Sequence, residues 1–523
     1  MDKLLPEIDK LLITNLLVCD GDYFKTLTGS KKAEPYYGYV LPCKYKGYEH
    51  MNVVLCANHS GIFYNNNLIP KIELSLKALA SHIKGSYQAI GTNIIHSASY
   101  PKTLTEIKNA LASLHQYESI TADIEAFSLK HYEAGIGTCA FATDQHNGIA
   151  FMCDYVPLDT PIKIDKNTSI YGKNIYKNPD NIDQEYLHAL GVRQLLWEFF
   201  TTYKGKVIWH NASFDCTVLA YQLFMKGLID HKGILEGIKH MTSNIHCTKI
   251  ISYLATNSCA GNSLGLKDQA HEFAGNYAVD EIKDICKIAP KELLEYNLID
   301  CLATWYVYNK NYPKMVKDNQ LDIYENLMLP SITTVVQVQL TGMCLDMDQV
   351  IEVEKTLKAI HQGHIDGMNQ YQFIKDFEHS LRQTKVDEDN LKLKNKVRTI
   401  DEVSHIVFNP NSNPQLQELL YDVMGLPVLD FTTNKMPATG GKTIKKLVNH
   451  TNNPDYVGFL EHLMGFIKVD KILSAFIPTF KKAPKADDGY HYLFGNFNLG
   501  GTVSGRLSSN NPNLQQINLC LAM

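Results

Sequence analysis

"SITADIEAF", residues 119–127, reads as a β-strand. Strand side chains alternate with period two, so Asp123 and Glu125 face one way while Ile124 faces the other. Two carboxylates side by side repel each other unless positive charge lies between them. A pair of divalent cations is the partner that this spacing calls for.

Two further acidic segments follow downstream. "GKVIWHN" (205–211) reads as a second strand, and "HNASFD" (210–215) carries it into a helix that begins near Asp215. The carboxyl ends of strands are where an α/β sheet builds its site. "YNLID" (296–300) puts Tyr296 and Asp300 four apart on a helix, hence on one face. Each segment has an ordinary explanation when taken alone. A strand D-x-E is commonly a surface feature, Asp215 suits the positive end of a helix dipole, and Tyr296 with Asp300 makes a routine surface pair.

The ordered set is more specific. Strand D-x-E, then N-x3-D at a helix start, then Y-x3-D on a later helix resembles the three motifs of the DEDDy class of 3′–5′ exonucleases. That class includes the proofreading domain of family A DNA polymerases. The resemblance spans residues 118–312 and implies that Asp123, Glu125, Asp215 and Asp300 hold two Mg2+ or Mn2+ ions, with Tyr296 orienting the attacking water. Two metals about 3.5–4 Å apart suit phosphodiester hydrolysis, since they activate the water and stabilise the leaving oxygen. Asn211 matches the asparagine of the second motif, as a DNA contact or a brace. "SLGLKDQA" (263–270) resembles a segment found between the second and third motifs. In "HCTKIISYL" (246–254), Cys247 stands before Thr248 where the family often has an aspartate.

The later half is similar to the same polymerase family. In "LPSITTVVQVQLTGMCLDMDQV" (329–350), Thr341, Gly342 and Asp346 fit the stretch joining exonuclease to thumb. In "FNPNSNPQLQELLYDVMGLP" (408–427), Phe408, Asn409, Gln415, Leu416 and Leu420 fit a thumb segment. "GGKT" (440–443) is not a phosphate-binding P-loop, because Met436 stands where that pattern needs glycine. Lys442, Lys445 and Lys446 form one basic set, and Lys468, Lys471, Lys481, Lys482 and Lys485 a second. Both read equally as phosphate contacts or as solvated faces.

"TVSGRLSSNNPNLQQI" (502–517) resembles the T-x-x-G-R-L-S-S-x-x-P-N-L-Q-x-I block of family A polymerases, which lies beside the primer–template duplex. The resemblance implies DNA contacts from Arg506, Ser508, Ser509, Asn513 and Gln515. Arginine suits the role because its fork donates to base edges and phosphates together. The palm aspartates and fingers lysine expected after this block do not follow, and "NLCLAM" (518–523) departs from the family. The expectation is an amino-terminal part of such a polymerase, with exonuclease but no polymerisation by this chain alone. The accompanying expectation is a reading frame interrupted just after Gln516 or Ile517, by an intron, an inserted gene or a frameshift. The alternative is a DNA-binding half of a split polymerase whose palm and fingers come on a second chain. An exoribonuclease of the same chemistry is a third reading, and the terminal block argues against it.

The expected fold class is α/β. A ribonuclease H-like 3′–5′ exonuclease domain (118–312) would precede a mostly helical thumb (313–490) and the first strands of a palm (491–517). Residues 1–117 form an extension without an assignable motif, and 518–523 a tail. Length agrees, since 523 residues suggest roughly three domains. With 45% apolar and 20% charged residues the composition is that of an ordinary globular protein. A net charge of -5 neither indicates nor excludes a DNA-binding groove. The twelve cysteines include no CxxC pair, which removes ligand-type zinc spacing and suits reduced thiols. No apolar run approaches the ~18 residues of a membrane span, and the acidic start is unlike a signal peptide. The expectations are a cytoplasmic protein, in a bacterium or a phage-infected cell, that meets single-stranded 3′ ends and primer–template duplex.

Overall fold

The structure is a computed structural model that describes residues 1, 3–65, 68–177, 183–256, 263–277, 282–392, 397–432 and 434–516. Ile517 and the tail "NLCLAM" lie outside the described residues. The fold is mixed α/β, in two compact units. The first comprises Met1–Gly342 with Phe494–Gln515, and the second contains Met343–Leu493.

The first unit opens with a small sheet of β1 (Asn15–Val18), β2 (Val40–Pro42) and β3 (Asn52–Leu55), in the order β1-β3-β2. Leu5, Phe24, Leu27, Met51, Val53 and Leu55 fill its core. After β3 the chain makes a 3-10 turn over His59–Phe63, where Asn58 accepts the Ser60 amide. A side-chain acceptor placed there favours a turn over a ladder.

The main sheet contains β4 (Ser97–Ser99), β5 (Ser119–Glu125), β6 (Thr138–Ala142), β7 (Asn147–Met152), β10 (Lys206–Trp209) and β11 (Ile245–Cys247). Between β7 and β10 the chain forms a separate hairpin of β8 (Tyr155–Lys163) and β9 (Ser169–Asn174). The strand order is β11-β10-β5-β6-β7-β4. β5 runs parallel to β10 and antiparallel to β6, while β6 and β7 form an antiparallel pair.

The unit crosses the boundary expected near residue 117. β4 pairs with β7, and helix Leu104–Leu114 gives Ile107, Leu111 and Leu114 to the main core. That helix begins with a capping box, in which Thr103 and Glu106 bond each other's backbone amides.

Period-two alternation divides β5 between two environments. Ile120, Ala122 and Ile124 join one core with Phe141, Phe199 and Trp209. Thr121, Asp123 and Glu125 face the other side, where helix Pro290–Lys317 lies across β5, β6 and β7. Small side chains make that approach possible, with Ala140, Ala142 and Ala150 packed against Leu298 and Leu302. Hydrogen bonds fix the helix to the sheet, among them Thr121 Oγ1 to the Cys301 carbonyl (2.9 Å) and Trp305 Nε1 to the Ala142 carbonyl (2.9 Å).

The helix from Ser213 ends at Phe224. Asp230 accepts the amides of Lys226 and Gly233 and starts the next helix at His231. The segment "YHYLFGNFNLGG" (490–501) is divided between the two units. His491–Leu493 pairs with Met343–Leu345 in the second unit, whereas Asn496–Asn498 pairs with Ser508–Asn510 in the first.

The second unit is mostly helical. Helices Met347–Asn369, Gln372–Lys392 and Pro454–Lys471 enclose Phe377, Phe408, Leu416, Leu420, Phe459 and Leu463. The segment "FNPNSNPQLQ" (408–417) is a capping structure. Ser412 accepts the Gln415 amide at the start of a short helix, and Gln415 Oε1 accepts the Asn409 amide (2.8 Å). Among the described residues no helix is long and apolar enough to cross a membrane.

Candidate metal centre

Asp123 and Glu125 leave β5 toward helix Pro290–Lys317, and Asp300 points back from that helix. One oxygen of each carboxylate fits within 4.8 Å of the others. Asp215, in the first turn of helix Ser213–Phe224, is 3% exposed and adjoins the trio closely enough for its charge to act on Asp123 and Glu125. Between β10 and that helix Asn211 adopts a left-handed backbone (φ 62°), a conformation that asparagine tolerates. Its Oδ1 accepts from Lys249 Nζ (3.0 Å).

The electrostatics are those of crowded anions. Burial, then the charges of Asp300, Asp215 and Glu125, drives Asp123 well above the usual carboxylate range. Burial and Asp300 push Glu125 up to about 8, and burial chiefly raises Asp215 to about 8. Such a set binds hard divalent cations well, because a metal removes the repulsion and offers oxygen ligands the charge that they lack. The donor set fits Mg2+ or Mn2+ and offers no sulfur or imidazole ligand.

Side chains that the sequence reading left without a role complete the centre. Lys267 Nζ donates to both oxygens of Asp300 (2.7 and 2.8 Å) and lies over the rings of Tyr296 (4.4 Å to the centroid) and Tyr277 (5.0 Å). The Tyr277 hydroxyl also donates to Asp300. Asn297 Nδ2 donates to Asp123 Oδ2 (2.7 Å), and its Oδ1 accepts from Thr138 Oγ1 (2.9 Å). Asn297 sits inside "YNLID" and Lys267 inside "SLGLKDQA", so both segments were visible, but only the fold joins them to the carboxylates. Tyr296 lies one helical turn before Asp300, beside Lys267 and with its ring 5.7 Å from that of Tyr277. A separate cavity of about 740 Å³ among Tyr100, Met152, Tyr155, His188 and Leu294 includes none of these carboxylates.

Residues 502–515 form a second group in the same unit. Arg506 is exposed and Ser508 half-buried. Ser509 is buried, and its hydroxyl accepts the Leu514 amide (3.2 Å), so it braces the turn. Asn513 accepts the Gln515 amide (3.1 Å), and Gln515 Nε2 donates to the Leu507 carbonyl (3.1 Å). Tyr253 Oη holds the loop through the Thr502 carbonyl (3.1 Å). In the second unit Lys446 pairs with Asp430 (2.7 Å) and Lys481 with Glu354 (2.9 Å).

Comparison with known proteins finds similarity over parts of the chain. Residues 379–521 match the DNA polymerase family A model. The DNA polymerase of Bacillus phage SP01 is 24% identical over 342 residues, 61% of this chain and 34% of that one. The DNA polymerase of Escherichia phage T5 is 24% identical over 437 residues, 78% of this chain and 44% of that one. Helicobacter pylori DNA polymerase I is 34% identical over 120 residues, 23% of this chain and 12% of that one. The chain therefore spans less than half the length of these relatives. Among solved structures, the POL domain of Pol1 from M. smegmatis, in complex with DNA primer-template and dNTP, aligns with a TM-score of 0.49. That alignment has 16% identity and covers 80% of this chain and 56% of that one.

Proposed function

We propose that this chain is part of a phage-type family A DNA polymerase and that its carboxylate centre removes nucleotides from the 3′ end of DNA. The observation that carries the proposal is the convergence of Asp123, Glu125 and Asp300 within 4.8 Å, from a strand and a later helix, with Asp215 adjoining. The order β7-β6-β5-β10-β11, with its antiparallel then parallel pairings, supports a ribonuclease H-like reading of this unit. The family match at 379–521 supports a polymerase context, with the helical second unit as thumb and the 502–516 segment beside duplex DNA. Polymerisation is assigned to no residue of this chain.

Asp123, Glu125, Asp215 and Asp300 would hold Mg2+ or Mn2+. When bound, such ions activate water and stabilise the leaving oxygen of a phosphodiester. Asn297 fixes the rotamer of Asp123 by donating to Oδ2, and its own carbonyl oxygen is fixed by Thr138. Tyr296 presents a phenol one turn from Asp300, where it can accept from or donate to the attacking water. Lys267 keeps a positive charge against Asp300 and the Tyr296 ring, so this corner stays compact before metal and DNA arrive.

The test is a 5′-labelled single-stranded DNA oligonucleotide incubated with the purified chain and Mg2+ or Mn2+. A ladder shortening from the 3′ end, absent in Asp123→Ala of unchanged circular dichroism, supports the proposal. Intact substrate in the presence of either metal contradicts it. Preference for an RNA oligonucleotide of the same sequence would favour the exoribonuclease reading.

A further inference from the structure

In the second unit helices Met347–Asn369 and Pro454–Lys471 pack antiparallel. His361 meets Asp470, His364 meets His462, and Tyr371, beyond the first helix, meets Gly458. Glycines make the contact close at its centre. A Cβ built on Gly367 would stand 2.3 Å from the His462 ring, and one on Gly465 would stand 2.2 Å from the His364 ring. Each imidazole therefore lies over a glycine of the opposite helix, and the two interlock reciprocally.

The interlock sets the two rings facing each other. Their Nδ1 atoms are 3.4 Å apart, the ring centroids 5.6 Å apart, and the planes are inclined by 68°. That separation is within reach of a long hydrogen bond in which one ring donates to the other. It matches the edge of a tetrahedral site, since Zn–N bonds of about 2.0–2.1 Å place two nitrogens about 3.3–3.4 Å apart. Both rings are partly exposed, so a cation can reach them from solvent. His361 is committed to Asp470 (3.1 Å). Among the described residues no third His, Cys, Asp or Glu completes a cluster here, so water would fill the remaining positions.

We infer that His364 and His462 form a two-nitrogen site for a borderline divalent cation of the Zn2+ class, which cross-links helices Met347–Asn369 and Pro454–Lys471. Imidazole nitrogen selects Zn2+, Co2+, Ni2+ or Cu2+ over the hard ions that suit the carboxylate centre, so the two sites differ in metal preference. The site does not depend on the exonuclease reading.

The experiment uses the full chain, freed of metal with a chelator and carrying Asp123→Asn to weaken the carboxylate centre. Zn2+ is titrated calorimetrically in excess Mg2+, and Co2+ is followed by its visible absorption. The expected result is one Zn2+ site that raises Tm by mass action, with Co2+ bands of tetrahedral intensity. His364→Gln and His462→Gln should each abolish that site while leaving the circular dichroism unchanged. Equal Zn2+ stoichiometry in the chain with both histidines and in the two glutamine variants would overturn the inference. Should a variant fail to fold, the Co2+ spectrum of the chain with both histidines decides, since absence of tetrahedral bands overturns it as well.

Discussion

Lys267 Nζ lies 2.7 Å from Asp300 Oδ1 and 2.8 Å from Oδ2, so an ammonium group sits where a metal's charge would be felt. The carboxylate centre thus contains its own counter-ion. A cation entering beside Asp300 has to share or displace that pairing.

The first prediction concerns this competition. Lys267→Met should lower the Tm of the metal-free chain, because Asp300 loses its charged partner among like charges. The same substitution should tighten Mn2+ binding several-fold, because no ammonium competes for the carboxylate. Calorimetric Mn2+ titration together with thermal denaturation in chelator checks both directions. A weaker Mn2+ affinity in the variant would mean that Lys267 supports the metal and does not oppose it.

The second prediction is a pH dependence. Glu125 and Asp215 are raised to about 8 by burial and by Asp300, and Asp123 is driven well above the ordinary carboxylate range by burial and its acidic neighbours. Folded values above the unfolded ones mean that the folded chain binds these protons more tightly. The stabilisation is complete below the ordinary carboxylate range and is lost as pH rises through about 8. Metal-free chain should therefore lose Tm steadily from about pH 4 to about pH 8, and millimolar Mg2+ should flatten the loss. Asp123→Asn should flatten it without metal.

A third prediction isolates Asn297, which is fully buried between Thr138 and Asp123. Asn297→Ala leaves a buried hydroxyl and a carboxylate oxygen without their partner. The expected cost is about 1–3 kcal/mol in urea denaturation, with reduced DNA hydrolysis even where the chain is folded. Asn297→Asp should be worse than alanine at pH 8, since it adds a charge to the anion cluster.

A fourth separates two members of the 502–516 segment. Arg506 is exposed, so Arg506→Ala should weaken duplex binding across sequences and reduce the salt slope by about one phosphate contact. Ser509 is buried in its turn, so Ser509→Ala should lower Tm and leave the salt slope unchanged. Fluorescence anisotropy over a salt series distinguishes the two.

Local periodicity carried much of this architecture into the sequence. The alternation in 119–125 set Asp123 and Glu125 on one face of β5, and the four-residue spacing set Tyr296 with Asp300. Pro290 marked the start of its helix, as a proline without an amide to donate should. Features that depend on distant pairing were not legible. β4 is three residues long, too short to show alternation, and only its pairing with β7 draws residues 97–99 into the main sheet. Lys267 and Tyr277 reach Asp300 across 33 and 23 residues, and no local pattern encodes that convergence. Within "YHYLFGNFNLGG" each half pairs with a distant segment, Met343–Leu345 and Ser508–Asn510.

The central claim is that the cluster of Asp123, Glu125, Asp215 and Asp300 hydrolyses DNA from its 3′ end. Its most direct measure is the rate of mononucleotide release from single-stranded DNA in Mg2+, for the unaltered chain, Asp123→Ala, Asp300→Ala and Tyr296→Phe. The account predicts metal-dependent release that falls by at least about 10³-fold in either alanine variant and by roughly 10²-fold in Tyr296→Phe. Release that persists undiminished in Asp123→Ala and Asp300→Ala, or no metal-dependent release from the unaltered chain, would contradict it.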